Sequence, residues 1–142
     1  MCVVEKESFN FELLKGVIED AGYEAEITAV EGDRIIVNGF DTTCYITLDK
    51  SYEFVIIRTY VVCTDNIMMD NMHEFVCKLN KKLLVQFLYT EHVDGTVCID
   101  GFYSMPYKFG FNTKNFIETL EAFASIFKEG FRELNEDIVF TY

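Results

Sequence analysis

The apolar positions change period four times along the chain, and each change predicts a new kind of element. Leu13, Leu14, Val17, Ile18 and Ala21 fall on one helical face, and Glu12, Lys15, Glu19 and Asp20 fall on the other. Ser8 or Asn10 can cap this first helix, and Gly22 suits the left-handed position just past its end. From Tyr23 the pattern becomes strand-like. Glu24 to Val30, Arg34 to Phe40, Thr43 to Leu48 and Glu53 to Cys63 read as strands rich in β-branched and aromatic residues. The turns between them are Glu31-Gly32-Asp33 and Asp49 to Tyr52.

The helical period returns in a unit spanning residues 66–103, around which the rest is arranged. Met69, Met72, Val76, Leu79 and Leu83 mark a central helix. Leu84 to Glu91 and Thr96 to Tyr103 then form a hairpin, turned at Asp94-Gly95 because glycine tolerates positive φ. Ser104 to Asn112 reads as a loop with the only proline, Pro106. Asn112 or Thr113 caps a third helix whose stripe is Phe116, Leu120, Phe123, Phe127 and Leu134, with Phe131 beside it. The tail, Asn135 to Tyr142, fits either a short strand or a partner-dependent segment. Gly32, Gly95 and Gly110 are explained by turns.

The strand from Glu53 to Cys63 is apolar on both sides. Phe54, Ile56, Tyr60 and Val62 face one way with Arg58, while Val55, Ile57, Val61 and Cys63 face the other. A strand of this kind is covered on both sides. One side packs on the helices of this domain. The Phe54, Ile56, Arg58 and Tyr60 side is then core, a dimer interface or a partner site, and an aromatic patch with an arginine has the composition of an interface. Arg58 needs a carboxylate, either across the sheet or from a partner, because a buried charge needs pairing.

Length and charge narrow the classes. The 142 residues suit one domain and are enough to bury about two-thirds of the unfolded surface without disulfides or metals. Half the residues are hydrophobic, which excludes global disorder. The net charge of −12 argues against nucleic acid and anionic membranes as partners, since both want a basic surface. The one basic cluster, Lys78, Lys81 and Lys82, is explained by the end of the central helix. The five cysteines are odd in number with no C-x-x-C spacing, and four lie inside predicted elements. They read as reduced thiols in a cytoplasmic protein. Met1 to Asn10 has no apolar run of signal length, and no segment is long enough to span a bilayer.

Candidate chemistry is sparse. His73 and Cys77 stand four apart and share a helix face, which could begin a metal site or a Cys–His pair. The only other histidine, His92, is near the hairpin turn. Glu24 with Glu26, and Glu118 with Glu121, pair on element faces without a neighbouring base and read as solvated surface. No P-loop, dinucleotide glycine pattern, G-x-S-x-G or H-E-x-x-H occurs. No catalytic residue, cofactor or metal is therefore assigned.

Two stretches carry a resemblance. Leu13 to Tyr23 (LLKGVIEDAGY) ends a first helix in Gly-Tyr, and Phe75 to Tyr89 (FVCKLNKKLLVQFLY) closes a helix at Leu79-Asn80 and runs straight into a strand. With the acidic hairpin and the final aromatic helix, these resemble the YbjN family, bacterial proteins often labelled sensory transduction regulators. The resemblance covers about residues 10–133 and makes 1–142 a single YbjN-like domain with a tail at 135–142. That family is similar in fold to type III secretion chaperones. It implies an α+β fold, an antiparallel sheet of five to six strands packed with three helices in the order α-β-β-β(-β)-α-β-β-α. It carries no active site. The meander here holds one strand more than the simplest secretion-chaperone pattern, which leaves the sheet order and dimer mode open. The expected function is a non-enzymatic, cytoplasmic, protein-binding regulator or chaperone-like adaptor, acting as a homodimer on a protein partner. The alternative is a small-ligand sensor or enzyme with a pocket between sheet and helices, using His73, Cys77 or Arg58.

Overall fold

The computed structural model describes residues 3–29, 33–40, 42–63, 73, 74, 76, 77, 80, 86–91, 96–134 and 140–141. The elements are β1 (Val3–Val4), a 3-10 turn (Lys6–Ser8), α1 (Phe11–Asp20), β2 (Glu24–Thr28), β3 (Arg34–Asn38) and β4 (Cys44–Asp49). They continue with β5 (Phe54–Cys63), β6 (Gln86–Glu91), β7 (Val97–Pro106), β8 (Phe111–Asn112), α2 (Thr113–Leu134) and β9 (Phe140–Thr141). Of the expected central helix, His73, Glu74, Val76, Cys77 and Asn80 are helical. The expected Asp94-Gly95 turn, the turn glycine Gly32, His92 and the Lys78, Lys81, Lys82 cluster lie outside the described residues.

Local chemistry fixes both ends of α1. Asn10 is extended, and its side-chain oxygen accepts from the Leu13 N–H at 2.8 Å, relieving an orphan donor of the first turn. At the other end Gly22 adopts φ +96°, the Gly22 N–H donates to the Glu19 carbonyl and the Tyr23 N–H donates to the Ile18 carbonyl. That pair of reversed bonds is a Schellman motif, and it turns the chain into β2. Leu14 and Ile18 are fully buried on the inward face.

The main sheet is antiparallel throughout, in the order β2-β3-β4-β5-β7-β6, with β9 pairing the far end of β5. Asp49 opens the turn between β4 and β5 by accepting from the Ser51 and Tyr52 N–H groups, both at 3.0 Å. The β5–β7 ladder runs from Phe54↔Pro106 to Val62↔Cys98. Residues 104–106, read as loop from sequence, are thus the last rungs of β7. A proline fits there because it is the final residue of the strand, where a missing N–H breaks no interior rung. The short β1–β8 pair has no alternating run to reveal it in the sequence.

Alternation sorts the sheet into two faces. Ile35, Val37, Cys44, Ile46, Val55, Ile57 and Ile99 point inward, all with no exposure. Against them pack α1 and the α2 residues Phe116, Leu120, Phe123 and Ala124. Asn112 caps α2, accepting from the Asn115 N–H at 2.9 Å. Phe9, Tyr107, Phe111 and Phe116 form a chain of ring contacts with centroids 4.5–5.3 Å apart that closes one end of the core. Val76 joins this core. Asn80 accepts from the Phe87 N–H and donates to the Phe87 carbonyl, which fastens the central helical segment to β6. The domain is α+β, with two helices described in full and a six-stranded path extended by β9. Among the described residues, no helix is long and apolar enough to cross a membrane.

Cys44, Cys77 and Cys98 are free thiols, the first and last buried. Burial pushes the Cys44 thiol up to about 12. Below pH 9 both folded and unfolded chains hold this proton. Above it the unfolded chain releases the proton and the folded chain does not, so stability falls with rising pH until about 12. The expected slope from this group is about −1.4 kcal/mol per pH unit. Urea unfolding at pH 8, 9, 10 and 11 checks it. Cys44→Ala should flatten the decline by that amount, and an unchanged slope would remove Cys44 as its source.

Candidate interaction surface

The Phe54, Ile56, Arg58 and Tyr60 row lies on the face of the sheet opposite the helices. Their neighbours Val55, Ile57 and Thr59 are buried, whereas Arg58 and Tyr60 are exposed and Phe54 and Ile56 half-buried. Arg58 and Tyr60 thus reach solvent on this face, and Phe54 and Ile56 reach it in part. Thr59 is the buried polar residue of the inward row. Its hydroxyl donates to the Thr43 carbonyl at 2.8 Å and lies 2.9 Å from the Thr42 hydroxyl, so its burial is satisfied.

Strand register extends the surface beyond one strand. Arg58 stands opposite Tyr45 on β4 and Phe102 on β7, Ile56 opposite Thr47 and Ser104, and Tyr60 opposite Asp100. Tyr45 in turn stands opposite Ile36 on β3, and Leu88 on β6 stands opposite Asp100. These paired residues share one side of the pleat. The result is a band of Ile36, Tyr45, Ile56, Tyr60, Phe102 and Leu88, edged at β2 by Glu24 and Glu26. Tyr60 is 46 % exposed, which is high for a side chain of this size at mid-sheet, and Leu88 on the edge strand β6 is 42 % exposed.

Two arginines stand next to Tyr45. Arg34 lies over its ring at 4.7 Å, a cation–π contact, and Arg58 is its cross-strand partner. Tyr45 also stacks on Tyr60 with centroids 5.7 Å apart and planes 18° from parallel. Burial raises the Tyr45 hydroxyl above its ordinary pKa, and the neighbouring Tyr60 hydroxyl raises it further. The Arg34 Nε is buried with no hydrogen-bond partner. Among the described residues no ion pair involves Arg34 or Arg58; the pairs present are Lys6–Glu53 and Lys15–Glu19. Of the two sources considered for a carboxylate at Arg58, the positions directly across the sheet hold Tyr45 and Phe102, so among the described residues neither cross-strand partner supplies one.

The residues considered for chemistry do not converge. His73 and Cys77 share a helix face as their spacing requires, with Nε2 and Sγ 3.7 Å apart, and both are exposed. His73 meets the edge of Tyr89, and Tyr89 pairs with Ile99 on the inward side of the sheet. Arg58 lies on the outward side, so the sheet separates it from the His73–Cys77 pair. Among the described residues no group of three His, Cys, Asp or Glu side chains could hold a metal. Glu24, Glu26, Glu118 and Glu121 are exposed. Sequence reasoning does not single out Arg34, Ile36, Tyr45, Leu88 or Phe102 for this surface. The available signal in β3 and β4 is the same alternation that marks β5; joining three strands into one surface requires their register.

No family model matches the chain, and no curated protein matches it. Solved structures do. The crystal structure of YbjN from E. coli, a provisional transcription regulator, superposes with a TM-score of 0.78 at 12% identity, covering 94% of this chain and 97% of that one. An uncharacterised protein from Methanothermobacter thermautotrophicus superposes with a TM-score of 0.66 at 13% identity, covering 90% and 98%. The fold of this chain is YbjN-like.

Proposed function

We propose that this chain is a non-enzymatic regulator or chaperone-like adaptor that binds another polypeptide on the outward face of its sheet. The observation that carries the reading is the band of Ile36, Tyr45, Ile56, Tyr60, Phe102 and Leu88, which no described helix covers. Burying part of it against a partner gains roughly 25 cal/mol per Å² of apolar surface before the costs of association. The likeness to YbjN supports a regulatory role. The charge of −12 favours contact with proteins over direct contact with DNA. We also propose a homodimer in the cytoplasm, as the YbjN resemblance implies.

Site-specific crosslinking tests the surface. Benzoylphenylalanine at position 60 should trap a discrete adduct in cells, while the same group at Tyr52, exposed on the turn before β5, should not. Adducts equal at both positions, or none at 60, would reject the outward face as the working surface. Sedimentation equilibrium reads the oligomer directly, and a monomer at micromolar concentration would remove the homodimer.

A further inference from the structure

The outward face pairs an apolar surface with positive charge that no ion pair among the described residues neutralises. Arg34 and Arg58 flank Tyr45, and neither joins an ion pair among the described residues. Yet the chain has 24 acidic residues against 12 basic ones. Opposite Arg58 the sheet places Tyr45 and Phe102, where a carboxylate would have neutralised it. The nearest acidic position on β7 is Asp100, opposite Tyr60 and so one diagonal step from Arg58. On the far edge Glu24 and Glu26 project from β2.

Each arginine also has spare donor capacity. A guanidinium offers five N–H donors and stays protonated at any working pH. The Arg34 Nε is shielded from solvent without an acceptor. Its guanidinium already rests over the Tyr45 ring at 4.7 Å, which lowers the entropy lost when an acceptor arrives. A carboxylate lowered onto the band between these two side chains would gain charge-assisted hydrogen bonds, with aromatic rings on either side to exclude water.

We infer that the outward face recognises a partner segment in which an aspartate or glutamate adjoins aromatic or aliphatic residues. Arg58 and Arg34 bind the carboxylate, and Tyr45, Tyr60, Ile56 and Phe102 take the apolar neighbours. This rests on the protein-binding reading above and specifies the chemistry of its partner. A purely apolar segment would leave both guanidiniums desolvated and unpaired, which costs affinity. A basic segment would place like charges together. The selectivity is thus for acidic-hydrophobic sequences, against the sign of the protein's overall field.

A random dodecapeptide display library, selected on the immobilised full chain, is the test. The long-range repulsion of a chain with charge −12 works against acidic peptides, so their enrichment has to come from local contacts. The selected pool should be enriched in Asp and Glu adjacent to aromatic residues. Changing that acid to its amide in a selected peptide should weaken binding about tenfold. On Arg58→Gln the acidic preference should vanish while the aromatic preference persists, and on Tyr60→Asp both should fall. Aromatic enrichment without acids, or acidic enrichment unchanged by Arg58→Gln, overturns the inference and leaves the protein-binding surface standing. No enrichment at all overturns both. Sedimentation equilibrium on the same variants covers the remaining occupant. If Arg58→Gln dissociates a dimer, the carboxylate comes from a second copy, and the inference of a separate partner fails.

Discussion

Phe116→Ala is expected to cost about 3–5 kcal/mol of stability. For a chain of this size that lowers the melting temperature by about 10 °C or more. Phe116 has no exposure, sits in the first turn of α2 and contacts the Phe111 ring at 5.3 Å. Phe111 leads through Phe9 to Tyr107, so one deletion opens a cavity at the point where β8, the N-terminal segment and α2 meet. Collapse to fill it is restricted. The backbone of β8 is paired to β1, and the Tyr107 N–H donates to the Glu53 carbonyl at 2.9 Å, which holds two adjacent turns in place. Glu118→Ala, two residues on and exposed, should change stability by less than about 0.5 kcal/mol. Thermal and urea melts of both variants check this. A loss below about 1 kcal/mol at Phe116 would mean that α2 does not close the core as described.

The contrast between positions 116 and 118 is legible in the amino-acid sequence, because helical period is a strong local signal. The first helix is equally clear: Asn10, Leu14, Ile18 and Gly22 fall where a cap, two core contacts and a left-handed terminus belong. The four meander strands are visible as well, since each alternates and each is bounded by polar or turn residues. What stays hidden depends on distant partners. The last rungs of β7 contain Ser104 and Pro106, which carry no strand preference of their own, and they are extended because Ile56 and Phe54 lie beside them. β1 and β8 are two residues each, too short for any period to register. Phe140–Thr141 is a strand only through pairing with Val62 and Cys63, and nothing within the tail itself decides that.

The site shows the same division. The two-sided apolarity of β5 locates Phe54, Ile56, Arg58 and Tyr60, but periodicity does not say which side the helices cover. Register does: Ile57 faces Ile46 and the core, and Arg58 faces Tyr45 and the open side. Arg34 cannot be tied to Arg58 from sequence, because they are 24 positions apart and meet around Tyr45 only after β3, β4 and β5 align. Expecting a ligand for Arg58 within the chain follows from the cost of charge burial, but it presumes that this row is buried.

Tyr60→Asp and Ile57→Asp, three residues apart on β5, are expected to separate binding from folding. Ile57 has no exposure and Tyr60 is 46 % exposed. Aspartate at 57 would bury an unpaired carboxylate in the helix-side core. With the lost apolar contacts, that costs more than about 4 kcal/mol, enough to unfold most of the chain. Aspartate at 60 stays in contact with water, so the direct cost is the Tyr45 stacking, about 1 kcal/mol. It also sits opposite Asp100, where like charges face each other at the cost of a further few tenths. Tyr60→Asp should therefore keep its circular dichroism spectrum and cooperative melt, yet lose at least tenfold in partner or self-association, because a carboxylate would be desolvated at the centre of the contact. Tyr60→Phe, which keeps the ring, should retain most of the association. If Tyr60→Asp unfolds like Ile57→Asp, the outward row is covered within this chain and is structural. If it folds and associates as before, the band of aromatic residues is exposed without being a contact, and the adaptor reading fails at its central observation.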